Sequence, residues 1–411
     1  MDELVSVRKR RQVMLISPDF GAGGAERSIA KLSFLLSEFC DVHFVVFNTL
    51  IACVYPTRGH THSLDVPSGK SFPGKLFRLF QRIKRVRELK KRLEIDTSIS
   101  FLEGADYVNV ISKRQEKVIV SLRSSKEADK DITGLTGWLR KSVLLPWLYK
   151  QADRVVSVNG GIKAELIRTM AIPFSKISVI NNYYDIIAIQ ETGREQLPKF
   201  AEECFNRPVI ITSGRLHKSK NHEGLLQVAS ILKRNQLKFR LIILGEGDLL
   251  DELLRHCEGL DLRSSILKNG HVETDADVLF LEYQANPWSF ISRAQVFLLT
   301  SSWEGFPNAL AEAMCLGVPV ISTDCPHGPR EMLMDGIPLS EKREEALWTP
   351  AGVLVPLLSE DQRFLICADV IQKILSDTQL SSSMGRIGVQ RMQQFSFDDA
   401  FQKWKSIVDG Q

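Results

Sequence analysis

The chain has 411 residues, 44% of them hydrophobic and 25% charged, with a formal net charge of +4. That length exceeds one core and fits two domains of about 200 residues, while the composition gives no disorder signature and the charge implies no whole-protein nucleic-acid field. Seven cysteines are scattered with no C-x-x-C pair and no His–Cys cluster at ligand spacing, which argues for reduced thiols and against structural zinc, and no run of about 18 apolar residues offers a membrane span.

The amino terminus, MDELVSVRKRR, is charged and enters a strand directly, so it does not read as a signal peptide. Residues 13–17 are that strand. Gly21, Gly23 and Gly24 follow, then a helix from about Ala25 with Ile29, Leu32, Leu35 and Leu36 on one face. A glycine-rich loop feeding a helix bares backbone N–H groups at the positive end of the helix dipole, which suits a phosphate. As a dinucleotide fingerprint it is poor, because the sixth residue counted from Gly21 is Glu26 where glycine is required. The other reading is a turn that only caps the helix.

Strands at 42–47, 97–101, 117–121 and 154–158 alternate with helical stretches, which implies a parallel, doubly wound sheet. Residues 75–93 hold nine Lys/Arg against one Glu, with Leu76, Phe80, Ile83, Val86, Leu89 and Leu93 at near-helical spacing. Such a helix can lie on an anionic membrane surface, each cation contributing about 1 kcal/mol. An ordinary crossover helix with solvated charges explains the same pattern. RKRR at 8–11 adds four cations that can share the surface. No aromatics interleave with these charges in a groove-like pattern, so no nucleic-acid partner is expected. Arg123, at a strand exit in VSLRSSKEA, is either a fixed cation facing a phosphate or an exposed loop arginine. Residues 177–184 run from a strand into an Asn-rich turn. Residues 191–207 are polar and without periodicity, which places a linker there between domains at 1–190 and 208–395.

A strand at 209–213 leads to Gly214, which allows close backbone approach. Arg215 and Lys220 lie five apart on the loop that follows, so both heads can point into one cleft, one as a fork and one as a point charge. The strand at 239–244 ends in the turn Gly245-Glu246-Gly247, and main-chain groups after a short strand at 265–267 could recognise a base. Strands at 296–300 and 318–322 flank the loop Gly305-Phe306-Pro307-Asn308 and a helix that Gly317 ends. Glu304 and Glu312 stand eight apart, slightly over two helical turns. Both can therefore face one cleft at the carboxyl end of a parallel strand, where open α/β sheets bind ligands. His327, in the loop TDCPHGPR, either reaches that ligand or is a plain loop histidine. His217 and His222 have no partners that complete a metal set, so no metal site is expected. The chain then runs mostly helical to an amphipathic end with Phe397, Phe401 and Trp404 on one face.

The run SSWEGFPNALAEAMCLGVPVI, with GPRE after it, resembles the donor-site motif of retaining GT-B glycosyltransferases and is most similar to the large family 4 of that group. A bare pair of glutamates at this spacing carries no information; the flanking EGFP, EAM and GPRE make the match specific. GGAER at 23–27 and Gly214-Arg215 with Lys220 are similar to the family's first loop and its G-R-x4-K element. The resemblance implies an α/β fold of two Rossmann-like, doubly wound parallel-sheet domains facing a cleft. The first would bind the acceptor, with 396–411 packing back on it, and the second the nucleotide-sugar. It implies a retaining transfer from a nucleotide-sugar, UDP being the commoner, to a lipid-linked oligosaccharide or envelope glycan, as in polysaccharide or lipopolysaccharide biosynthesis. No metal or other cofactor is implied, and the location is cytoplasmic, peripheral on an anionic membrane face. Arg215 and Lys220 would hold the diphosphate, which Gly23, Gly24, Gly214 and Gly245 approach. Glu312 would accept the ribose hydroxyls. Glu304 and the loop Phe306, Pro307 and Asn308 would hold the sugar. The family's frequent His in the first domain is missing, since no His lies between His62 and His217, and Arg123 stands at the strand exit instead. Two competing readings are a GT-B nucleotide-sugar epimerase, which the EGFPN loop does not favour, and a non-catalytic nucleotide-sugar-binding subunit, against which the intact Arg215, Lys220, Glu304 and Glu312 argue.

Overall fold

The structure, a computed structural model, describes residues 10–19, 21, 23–48, 55–67, 69, 71–127, 134–334 and 344–410. Arg8 and Lys9 of the basic amino-terminal tract lie outside them. The chain divides into two units, Met1–Asn182 with Phe397–Gln411, and Tyr183–Ser396.

The first unit is a wholly parallel sheet of β1 (Arg11–Ser17), β2 (Cys40–Val46), β3 (His60–Ser63), β4 (Thr97–Phe101), β5 (Lys117–Leu122), β6 (Arg154–Ser157) and β7 (Ile177–Val179). Their order is β3-β2-β1-β4-β5-β6-β7. Helices cover both faces, so β4 is small or apolar and buried throughout, as is β1 from Val13 on. The helices are α1 (Gly24–Ser37), α2 (Phe72–Arg92), α3 (Glu103–Ile111), α4 (Gly134–Leu139), α5 (Leu145–Gln151) and α6 (Gly160–Met170), with a π-helical turn, Arg140–Leu144, joining α4 to α5. α1 buries Ile29, Leu32, Leu35 and Leu36, the face its periodicity predicts. Right-handed crossovers place α2, α3 and α5 on one side of the sheet, and they pack in that order.

α2 departs from a single apolar stripe. Val86 and Leu89 are buried, whereas Phe77 and Phe80 are 60% and 62% exposed. Its cations also divide. Lys90 is buried, with Nζ 2.8 Å from Glu116 Oε1 and donating to the backbone and side-chain oxygens of Asn109 at 2.9 Å. Arg82 donates to Val66 O and lies over the Phe47 ring at 4.2 Å. Lys75, Lys84, Arg87 and Lys91 face solvent. The core half of this helix is thus a crossover helix, and its first turns present apolar rings outward.

The second unit is an eight-stranded sheet of β8 (Val209–Ser213), β9 (Arg240–Leu244), β10 (Ser264–Ile266), β11 (Val278–Phe280), β12 (Val296–Leu299), β13 (Val320–Thr323), β14 (Leu347–Thr349) and β15 (Gly352–Val355), in the order β10-β11-β9-β8-β12-β13-β15-β14. Only β14 is antiparallel to its neighbour. Its helices are α7 (Ile186–Gly193), α8 (His222–Arg234), α9 (Leu250–Gly259), α10 (Pro287–Ile291), α11 (Asn308–Cys315), α12 (Gly328–Leu333), α13 (Asp361–Ser376) and α14 (Thr378–Met392).

The boundary falls at Asn182/Tyr183 rather than at 190, and the expected linker 191–207 is built into the second unit. Gln190 Nε2 donates to Cys315 O at 2.8 Å, Ser292 Oγ to Gly193 O at 2.7 Å and Arg240 Nη1 to Glu203 O at 2.9 Å. Side chains of the second unit thus satisfy the carbonyls of Gly193 and Glu203, and a 3₁₀ helix, Lys199–Phe205, covers part of the rest, so the segment shows no α-helical period.

The last helix, α15 (Phe397–Asp409), belongs to the first unit. It packs on α1, burying Ala400, Trp404, Ile407 and Val408. Phe401 meets Phe39 edge-on at 5.2 Å, and Lys117 Nζ donates to Ile407 O at 2.5 Å. Phe397, expected on the packed face, is 38% exposed.

Candidate active site

Because β8, β9, β12 and β13 are parallel neighbours, the loops after them leave one edge of the second sheet. Those loops hold most of the residues that the sequence singles out. After β8, the backbone N–H of Gly214 donates to Leu244 O at 2.9 Å and that of Leu216 to Glu246 O at 2.8 Å. Gly245 has φ +140°, and a Cβ there would lie 2.0 Å from Gly214 O. Glycine is obligatory at this crossing of two loops. The Lys220 stem lies over Gly214, with Cε 3.5 Å from where a Cβ would stand. His217 caps the turn Lys218–Lys220, its Nδ1 accepting from Ser219 N at 3.2 Å.

The turn delivers Lys220 to the acidic loop after β12. Lys220 Nζ lies 2.5 Å from Glu304 Oε1, and Ser301 Oγ donates to the same oxygen at 2.7 Å. Thr300 Oγ1 donates to Lys220 O at 2.8 Å and Ser302 N to Ser219 O at 2.8 Å, so the two loops are stitched along their length. Arg215 is on the same loop, exposed, and among the described residues it is not hydrogen-bonded to this group.

Glu304 also bridges to His327 through the backbone. His327 has φ +84°, a strained value for a non-glycine residue. The next residue fixes it there: a Cβ at Gly328 would lie 2.4 Å from Gly305 O. Buried Arg330 grips Asp324 through two parallel contacts, Nε to Oδ1 and Nη2 to Oδ2. Arg330 therefore shapes the loop. Phe306 is buried edge-on against Phe395 at 5.1 Å, and Pro307 precedes α11 as its N-cap. Asn308 Oδ1 accepts from Tyr184 Oη at 2.7 Å. Glu312, one helical turn after Asn308, is buried. A carboxylate there is held away from water.

Asn269 and Gly270, both at positive φ, make a two-residue hairpin turn after β10, where Lys268 and His271 exchange two 2.9 Å backbone bonds. Those particular main-chain groups are therefore already used.

In the first unit Gly23 is the N-cap of α1, with φ −79° and ψ 165°. A Cβ there would lie 2.1 Å from Glu26 Oε2, so the Glu26 carboxylate, at the end of a flexible side chain, sits against the helix N-terminus. Arg123 bonds to Asn182 Oδ1 and lies over the Phe101 ring at 5.4 Å. It is an anchored cation, not a loose loop residue. Buried Glu165 on α6 holds the loop beyond it, accepting from Ser125 Oγ at 2.6 Å and from the N–H groups of Lys126 and Glu127 at 2.8 and 2.9 Å.

Sequence reasoning missed a polar cluster at the exit of β4. Glu103 pairs with Arg140 and Lys126 and accepts from Tyr107 Oη at 3.2 Å. Burial pushes its carboxyl up, but the Arg140 and Lys126 cations outweigh that and hold it below the usual range. Asp106, fully buried one turn on, is pushed by burial up to about 7, against a smaller pull from Lys126. Leu102, just before, has φ +70°. The partners lie up to 37 positions apart, and only the sequence FLEGADY marks the place. Tyr184 and Asn308, 124 apart, were equally invisible.

A family model described as Glycosyl transferases group 1 matches residues 194–388, and one described as Glycosyltransferase Family 4 matches residues 22–186. The chain is 27% identical over 360 residues to an uncharacterized glycosyltransferase of Methanocaldococcus jannaschii, covering 82% of this chain and 83% of that one. It is 27% identical over 319 residues to the N-acetylgalactosamine-N,N'-diacetylbacillosaminyl-diphospho-undecaprenol 4-alpha-N-acetylgalactosaminyltransferase of Campylobacter jejuni, covering 77% and 81%. Among solved structures, Anabaena HepE in complex with UDP and glucose superposes with a TM-score of 0.71 at 17% identity, covering 98% of this chain and all of that one. At that identity the likeness establishes the GT-B fold.

Proposed function

Because the chain belongs to the family 4, group 1 glycosyltransferases, we propose that it moves a sugar from a UDP-sugar, with retention and without a metal, to a lipid-linked or envelope glycan. The observation that carries the site is the Lys220–Glu304 pair beside the crossed Gly214 and Gly245 loops. In this reading the donor diphosphate takes Lys220 and Arg215 as its cations, and Glu304 turns to the sugar hydroxyls with the loop Phe306, Pro307 and Asn308. Buried Glu312 accepts the ribose hydroxyls. In the first unit, Gly23 and Gly24 at the N-terminus of α1 offer backbone N–H groups suited to a phosphate.

The bond between the anomeric carbon and the diphosphate oxygen breaks, and the acceptor oxygen bonds to that carbon on the same face. The acceptor's proton passes to the departing phosphate oxygen. No side chain is then needed as a nucleophile. Fixed cations stabilise the charge that develops on the leaving group, the kind of preorganisation worth roughly 10²–10³ in rate for one lost contact. UDP is supported by the complex that HepE forms, and a lipid-linked acceptor by the diphospho-undecaprenol in the name of the Campylobacter relative. An anionic membrane face as partner is supported by the outward cations and rings of α2. No helix among the described residues is long and apolar enough to cross a membrane.

Thermal-shift screening against UDP-, GDP-, ADP- and TDP-sugars tests the donor. A shift with UDP-sugars alone is expected; stabilisation by another base alone would overturn the UDP assignment.

A further inference from the structure

The helical segment 134–151 of the first unit is apolar on both sides. Leu145, Leu148 and Tyr149 are buried against the unit. Trp138, Leu139, Val143, Leu144 and Trp147 are 43–60% exposed. A helix lying on a soluble core ordinarily turns polar residues outward, and a run of five large apolar side chains there marks an interaction surface. The segment contains no Asp or Glu, while it contains Arg140, Lys141 and Lys150.

This surface is not alone. α2 and α5 flank α3 in one layer, and the first turns of α2 expose Leu76, Phe77 and Phe80 among their own cations. α2 follows the exit of β3 and the 134–151 segment follows that of β5, so each starts from the carboxyl edge of the sheet, on the side that also holds Glu103. Arg140 is tied to Glu103 at the start of α3, and Lys141 Nζ reaches Glu127 O at 3.4 Å. The exposed face is therefore tied to the unit at Arg140 and Lys141.

Tryptophan with flanking lysine and arginine, no acid, and aliphatic side chains between is the chemistry of a bilayer interface. We propose that 138–147 is a second membrane footing, which inserts Trp138, Leu139, Val143, Leu144 and Trp147 into the headgroup boundary of an anionic bilayer while α2 supplies charge attraction. This deepens the membrane part of the preceding section, but its readout needs no sugar transfer, and it can stand if the charge role of α2 fails.

The test is emission of the full-length protein with vesicles of phosphatidylcholine and phosphatidylglycerol whose acyl chains carry bromine. The expected result is quenching in the wild type, most of which disappears in W138F/W147F although that variant still sediments with the vesicles. W138S/L139S/W147S should partition at least about tenfold more weakly, since binding scales with apolar area buried. Emission of Trp138 and Trp147 indifferent to brominated lipid would overturn the proposal, as would wild-type sedimentation of the serine variant. So would self-association in buffer that the serine variant abolishes while vesicle binding persists, because a second copy of the chain would then cover this face. The phenylalanine variant keeps the question decidable if the serine variant folds poorly.

Discussion

Lys220 and Glu304 stand 84 positions apart in the chain, yet the ammonium lies 2.5 Å from the carboxylate, and Ser301 donates to the same oxygen. Neither group is fully buried, at 26% and 12% side-chain exposure, so solvent reaches the pair. Removing the cation should therefore cost rate more than fold. Lys220→Ala and Glu312→Ala are each expected to lower turnover by roughly 10²-fold or more at near-native melting temperature. Steady-state kinetics on the pair of variants checks this, and near-wild-type rates in both would sink the site assignment.

The crossing of two glycine loops gives a second prediction. In Gly245→Ala the new methyl group would stand 2.0 Å from Gly214 O, at a φ of +140°. The strain and displacement together should cost about 2–4 kcal/mol. Stabilisation by added UDP should also weaken, because Arg215 follows Gly214 directly. A melting curve unchanged from wild type would show that the two loops are not held together as described.

Asp106 sets a pH dependence. Burial raises its carboxyl from the ordinary 3.8 to about 7 in the folded chain. The protonated form belongs to the fold, so its contribution is complete below about pH 3.8 and is lost as pH rises through 7. Asp106→Asn keeps the shape without the charge. It should remove that slope and be the more stable protein above neutrality, on the order of a few kcal/mol. Melting temperatures measured from pH 4 to 8 decide it; parallel curves for the two proteins would mean that Asp106 does not titrate in the fold.

Lys90 and Glu116 make a buried pair with almost no solvent, 1% and 2% exposed. Lys90→Met leaves a buried carboxylate and should destabilise by roughly 3–5 kcal/mol, whereas Lys90→Met with Glu116→Leu should recover most of the loss. Chemical denaturation of the single and double variants reads the difference. A double variant as weak as the single one would show that the Asn109 bonds, rather than charge balance, dominate.

The outward cations of α2 predict vesicle binding. Reversing Lys75, Lys84, Arg87 and Lys91 to Glu spares Arg82 and Lys90, which serve the fold. Binding to anionic vesicles should drop more than about hundredfold while the melting temperature holds. Equal sedimentation of the variant and the wild type would return these lysines and arginines to plain solvation.

Much of this was legible from residue order. Parallel strands buried on both faces announce themselves as continuous apolar runs, and Gly245 and Gly317 mark turns because their positive φ favours glycine. Gly317, at φ +71°, does end the helix that bears Glu312. The strands β3, β11 and β14 have three or four residues each, too few for a period to emerge. The segment 191–207 misled for a different reason: polar, aperiodic residues look like a tether whether or not distant side chains bind their carbonyls. The split character of α2 was likewise hidden, since Phe80 and Val86 lie on one nominal stripe while only one of them meets the sheet. The Glu103 cluster and the Tyr184–Asn308 bond depend on distance in space, which spacing along the chain does not encode.

The return of α15 to α1 has a consequence for biosynthesis. The hydrophobic seat for Trp404 and Ile407 is translated before the second unit and its occupant after it, with every residue of that unit made in between. The first unit therefore leaves the ribosome with an open seam and closes it only after the second unit has been made. Domain-by-domain folding from the amino terminus, the usual order during synthesis, is inverted here, with the earlier unit completed after the later one.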